Sequence, residues 1–125
     1  MQQHPTTPEA RGALIAADRV EGTAVYNRTG DHLGSIKTVM IDKTSGKVAY
    51  AVMSFGGFLG IGEKYHPLPW GILTCHRGQA GYVVDLDKRQ LEAAPSYGAS
   101  ETPDYDDRAW GREVHEYYRV PPYWM

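Results

Sequence analysis

From residue 13 onward, short runs rich in Val, Ile, Tyr and Thr alternate with clusters of Gly, Asn, Asp and Ser, the pattern of strands joined by tight turns. Residues 23–26 read as a strand, and Asn27, Arg28, Thr29 and Gly30 supply a type I turn whose last residue can take positive φ. A return strand follows over residues 32–42. Lys43, Thr44, Ser45 and Gly46 repeat the same solution before a second long strand over 47–55, so the pattern predicts two successive hairpins. Shorter strands are expected at 64–68, 72–75 and 82–86, with Pro67 and Pro69 as punctuation and a turn at 77–81. About six short strands with tight turns suit a small barrel, which also removes exposed sheet edges. Two short helical pieces complete the reading. Asp18, with Glu21 three residues on, offers an N-cap for one turn closed by Gly22, and Asp87 with Gln90 caps a helix running to Ala94 and stopped by Pro95.

The strand over 47–55 carries more information than its neighbours. Alternation places Val48, Tyr50 and Val52 on one face and Ala49, Ala51, Met53 and Phe55 on the other. Both faces are apolar, whereas a half-exposed antiparallel strand keeps its outer side polar. The strand therefore requires two covers, the core on one side and a further element on the other. The candidate for that element is the tail at 98–125. Within it Thr102 can cap, Pro103 suits a first helical position, and Trp110, Val114, Tyr117 and Tyr118 recur at the i, i+4, i+7, i+8 spacing of one helix face. Gly111 weakens this amphipathic helix by about 1 kcal/mol relative to alanine. Pro121 and Pro122 end it, leaving Tyr123 and Trp124, which gain most when buried. Whether the tail packs on its own barrel or on a second copy is open at this level.

Length and charge narrow the picture. A chain of 125 residues is one domain. Residues 1–12 carry few apolar groups and are expected to be a flexible arm, leaving the barrel domain at 13–97 and the helical aromatic tail at 98–125. With 13 Lys and Arg against 15 Asp and Glu, the net charge of -2 offers no surplus to neutralise phosphates, so nucleic acid is not an expected partner. The tail holds six acidic residues against three arginines. The lone Cys75 cannot form an internal disulfide, no leader pattern opens the chain, and no run approaches the about 18 apolar residues of a membrane span. These features predict a cytoplasmic protein without membrane insertion.

Candidate chemistry is sparse. Gly57 and Gly62 have the separation of a phosphate loop, but Glu63 stands where a lysine must reach the phosphates and Tyr65 replaces the magnesium-binding hydroxyl. A dinucleotide fingerprint fails at Tyr65 too. His32, His66 and His76 have no metal-ligand spacing, and Cys75 reads as a small buried strand residue. Asp85 and Asp87 lie two apart, yet Asp87 is explained as a helix cap; Asp104, Asp106 and Asp107 read as a solvated face at a helix N-terminus. No catalytic residues, cofactor or metal are expected. The positive signal is aromatic and aliphatic: Phe58, Leu59 and Ile61 in the glycine loop, Trp70 after a proline, and Trp110, Val114, Tyr117, Tyr118 and Trp124 in the tail exceed what a small barrel interior holds, which points to an interface.

The succession VEGTAVY from Val20, Gly30, LGSI from Leu33, Ile41 and Asp42, GKVAY from Gly46, FGGFLGIG from Phe55, KYHPLPW from Lys64 and LEAAPSY from Leu91 resembles the PRC-barrel family, over residues 13–97. That family is named for the photosynthetic reaction-centre H subunit and includes the C-terminal domain of the ribosome-maturation factor, both of which use the barrel as a binding module. The resemblance implies an all-β fold, a small barrel of about six strands with a short helix after the last one, and a non-enzymatic interaction role. With no membrane helix before Ala13 and no separate N-terminal domain, the expectation is a stand-alone bacterial member: a self-associating scaffold, as a homodimer, with a further unidentified protein partner. The alternatives are a small-ligand or metal protein using His66, His76 and the glycine loop, and an RNA-processing accessory.

Overall fold

The computed structural model describes residues 14–56, 62–75 and 81–125. The expected arm at 1–12, the loop residues Phe58, Leu59 and Ile61, and His76 lie outside the described residues.

Strands form where the alternation places them. β1 (Ala24–Asn27) turns back into β2 (His32–Ile41), and β2 into β3 (Val48–Phe55). Each turn is held by a side-chain acceptor at its first residue. Asn27 Oδ1 takes the N–H groups of Thr29 and Asp31 at 3.1 and 2.8 Å, and Asp42 takes the N–H of Thr44 and the hydroxyl of Ser45 at 3.1 and 2.9 Å. Gly30 and Gly46 close the two turns at φ of 91° and 77°, where a side chain is strained.

β4 (Lys64–Pro69), a 3-10 turn at Trp70–Ile72, β5 (Thr74–Cys75) and β6 (Tyr82–Val84) complete one six-stranded sheet of order β4-β3-β2-β1-β6-β5. Its pairs are antiparallel except β1 with β6. Chain connectivity forces this sheet to roll. Pro69 and Thr74 end and begin the two outermost strands, and a five-residue separation reaches at most about 18 Å. The edges of a flat six-stranded sheet stand about 24 Å apart at a spacing of about 4.8 Å. The sheet therefore curls into a barrel-like form.

The prolines expected as punctuation lie inside β4 instead. Pro67 and Pro69 pair with Val52 and Tyr50, in the same phase as Tyr65. The Tyr65 N–H points away from β3 and reaches the carbonyl of Tyr97 at 2.9 Å, so the prolines occupy positions whose missing N–H costs the ladder nothing. The barrel seam beyond them is closed by side chains: Trp70 meets Tyr82 of β6 edge to face at 5.5 Å between ring centroids. The segment expected as a strand over 72–75 is correspondingly shorter, because the 3-10 turn takes Ile72.

One face of the sheet holds the core, built from Val25, Leu33, Ile36, Ala51, Met53, Leu68 and Val84. Among the described residues three helices pack on the sheet: α1 (Ala17–Val20), α2 (Lys88–Glu92) and α3 (Arg108–Tyr118). α2 carries the expected capping box between Asp87 and Gln90, each accepting the other's N–H at 2.8 Å, and it drives Leu91 into the core.

Two helix starts differ from the sequence expectation. α1 begins one residue before Asp18, with Ala16 at its N-cap and no side-chain cap. α3 begins at Arg108 rather than near Pro103, because Asp107 is the better cap: its carboxylate accepts the N–H groups of Ala109 and Trp110 at 2.9 and 3.4 Å. Asp104 meanwhile holds a separate turn through the Asp106 N–H, which leaves Tyr105 free to turn toward the sheet. Cys75, expected to be buried, is exposed on the two-residue strand β5.

Candidate interaction surface

Strand β3 is buried without interruption from Ala49 to Met53, so both of its faces are covered. Ala51 and Met53 face the core. Tyr50, on the opposite face, is met by four rings of the C-terminal segment: Tyr105 at 5.5 Å, Trp110 at 6.1 Å, His115 at 5.3 Å and Tyr123 at 5.7 Å. The second cover demanded by the two-sided apolar strand is thus the tail of the same chain. Tyr50 is its hub.

The cap is assembled from local rules. Tyr105 is fixed from behind by Tyr97, hydroxyl to hydroxyl at 2.7 Å. α3 ends where Arg119 adopts the left-handed conformation at φ 60°, and its N–H is taken by the carbonyls of His115 and Glu116. The reversal sends Tyr123 and Trp124 back along the helix. Trp124 lies against His115 at 5.7 Å and beneath the guanidinium groups of Arg108 and Arg112, at 5.1 and 6.0 Å from its ring. Gly111 makes this possible. A Cβ there would stand 3.0 Å from Trp124 and 3.2 Å from the Tyr50 hydroxyl, so the residue that weakens the helix also lets it approach the strand.

The buried stripe of α3 is Gly111, Val114, His115 and Tyr118. It is rotated from the predicted one: Tyr117 is 37% exposed, and its hydroxyl donates to the Gln90 carbonyl of α2. Val114 and Tyr118 are buried, while Trp110 and Trp124 are half-buried within the cap and Trp70 is half-buried at the barrel seam. The structure therefore gathers Trp110, Val114, Tyr118 and Trp124 in one cap and leaves Trp70 apart. Sequence reasoning missed Tyr105 and His115. The spacing of positions 111, 115 and 118 marks a helix stripe, but a polar histidine and a glycine carry no hydrophobic signal. His115 is admitted because its Nδ1 pairs with the Gly111 carbonyl at 2.7 Å.

Polar satisfaction within the seam is incomplete. The hydroxyls of Tyr50 and Tyr118 are buried without a hydrogen-bond partner. Burial pushes the Tyr50 phenol up to about 12, with Tyr123 contributing, and raises those of Tyr118 and Tyr105 as well. On the other face of the sheet His66 is 1% exposed, edge to face with Phe55 at 5.4 Å. Its ring bonds the Pro95 backbone, which offers only a carbonyl, so the imidazole donates there and Nδ1 has no partner. Burial lowers the His66 pKa to about 4 and keeps the ring neutral. Among the described residues no three His, Cys, Asp or Glu side chains are grouped as metal ligands.

An open groove of ≈ 390 Å³ lies between the β2–β3 turn and the end of the chain, lined by Ile41, Asp42, Lys43, Tyr105, Asp106 and Tyr123 among others. Ile41, 50% exposed, gives it an apolar edge. No helix among the described residues is long and apolar enough to cross a membrane.

A six-stranded rolled sheet, a short capped helix after its last strand and a C-terminal helix define a small, mostly β, barrel-like domain. The family model of the PRC-barrel domain matches residues 13–91, and the chain belongs to that family. It is also similar to an uncharacterized protein of Deinococcus radiodurans, 26% identical over 108 residues. That match takes in 82% of this chain and 38% of the relative, so the chain spans little more than a third of the relative's length.

Proposed function

We propose that this protein is a non-enzymatic interaction module that self-associates as a homodimer in the cytoplasm and docks a further protein partner. The observation that carries the reading is the use of aromatic residues. The barrel places an apolar outer face at Tyr50 and Val52, and the chain commits Tyr105, Trp110 and Tyr123 to covering it and little to a reactive centre. Nonpolar contact of this kind is the chemistry by which proteins recognise one another. Residual apolar groups at the rim, Ile41 and Met125, lie beside the cap where a neighbour can reach them.

The test is light scattering on the full chain across a concentration series. A dimer at micromolar concentration is expected, and a monomer throughout would reject the reading.

A further inference from the structure

We infer that the C-terminal cap is an exchangeable lid, and that self-association proceeds by two copies trading caps, each occupying the Tyr50 face of the other. This deepens the proposed function and rests on it, since it specifies the mode of a self-association that reading supposes.

The seam is built as a separable contact. Two hydroxyls, Tyr50 from the barrel and Tyr118 from the cap, are shut between the two parts with no partner. The Tyr50 hydroxyl faces the helix backbone, 3.2 Å from the position a Cβ on Gly111 would take. Phenylalanine would fill both places without loss of ring contact. Each tyrosine hydroxyl regains water when the cap lifts, so it favours the open state. The helix of the cap has 11 residues, shorter than the about 12–15 at which a helix persists in isolation, so a lifted cap regains its order only on a Tyr50 face. Its aromatic contacts run to Tyr50 and Tyr97 of the barrel and among its own residues Tyr105, Trp110, His115, Tyr123 and Trp124. Between barrel and cap the chain from 98 to 104 is irregular, mostly exposed, and held locally by the Gly98–Glu101 turn.

The occupant of a vacated face is given by fit. The Gly111 notch receives Tyr50 and Trp124, the Tyr117 hydroxyl reaches Gln90, and the Tyr105 ring packs against both Tyr50 and Trp110. A second copy of the cap reproduces every one of these contacts.

Exchange has a kinetic signature that an ordinary dimer contact lacks. The seam is identical in the closed monomer and the exchanged dimer. Removing a trapped hydroxyl therefore stabilises both equally and leaves the monomer–dimer ratio unchanged, while it slows the opening through which they interconvert. Cys75, exposed and the sole cysteine, permits donor-labelled and acceptor-labelled batches of the full chain to be mixed and energy transfer followed. In Tyr50→Phe and Tyr118→Phe the rate of transfer is expected to fall by on the order of tenfold each, with an unchanged dimer fraction. Dimers that mix at the same rate in both variants would overturn cap exchange and leave self-association standing. A monomer at every concentration would overturn both.

Discussion

The hydroxyl of Tyr50 and the α-carbon of Gly111 are in such close register that a Cβ on Gly111 would lie 3.2 Å from the hydroxyl oxygen. A strand residue and a helix residue 61 positions apart in the sequence thus set the distance between barrel and cap. In an isolated helix Gly111→Ala gains about 1 kcal/mol. Here the added methyl meets Trp124 at 3.0 Å as well, and both neighbours are held by further rings. Overpacking costs about 1–3 kcal/mol, so the substitution is expected to be net destabilising by about 1 kcal/mol. Urea unfolding checks it; a gain in stability would show that the cap has room to shift.

Trp124 is the clasp of the cap, with Arg108 and Arg112 above it and Gly111 below. Being half-buried, it should cost less than a core tryptophan when truncated. Trp124→Ala is expected to lose about 2 kcal/mol, read as a lower urea midpoint, and to reduce amide protection in α3 before that in β3.

Asp107 accepts two helix N–H groups at the start of α3. Asp107→Ala is expected to cost about 1 kcal/mol, and Asp107→Ser to recover most of it. The pair distinguishes capping from charge, since serine retains the acceptor and removes the carboxylate.

His66 makes stability pH-dependent with a definite sign. Its pKa is about 4 in the folded protein against an ordinary 6.5, because burial disfavours the imidazolium. A depressed folded-state value means that the unfolded chain takes up the proton first. The contribution is therefore complete above pH 6.5, declines as the pH falls toward 4, and changes no further below it. The size is on the order of 3 kcal/mol. His66→Leu is expected to flatten that part of the profile, so the difference between wild-type and variant unfolding free energies should shrink or reverse on going from pH 7 to pH 4.5. A parallel offset at both pH values would assign the acid loss to carboxylates instead.

The sequence alone determined those features that depend on local chemistry. Hairpin turns were legible because Asn27 to Gly30 and Lys43 to Gly46 are short polar runs closing on a glycine that can take positive φ. The capping box of α2 was legible for the same reason, and the alternation in β3 announced a second cover because period-two patterning reports both faces of a strand at once. The family likeness rests on the order of such local signals. Tertiary structure decided what the cover is made of and which atoms it traps. Tyr105 and His115 become part of the seam only once the helix starts at Asp107 and packs across Tyr50, a choice governed by contacts some 60 residues apart in sequence. The two prolines of β4 look like breaks in the chain until the register shows that their missing N–H groups point away from the ladder. Likewise, the unpaired hydroxyls of Tyr50 and Tyr118 have no signature in composition or spacing, because hydrogen-bond satisfaction depends on where every neighbouring atom comes to rest.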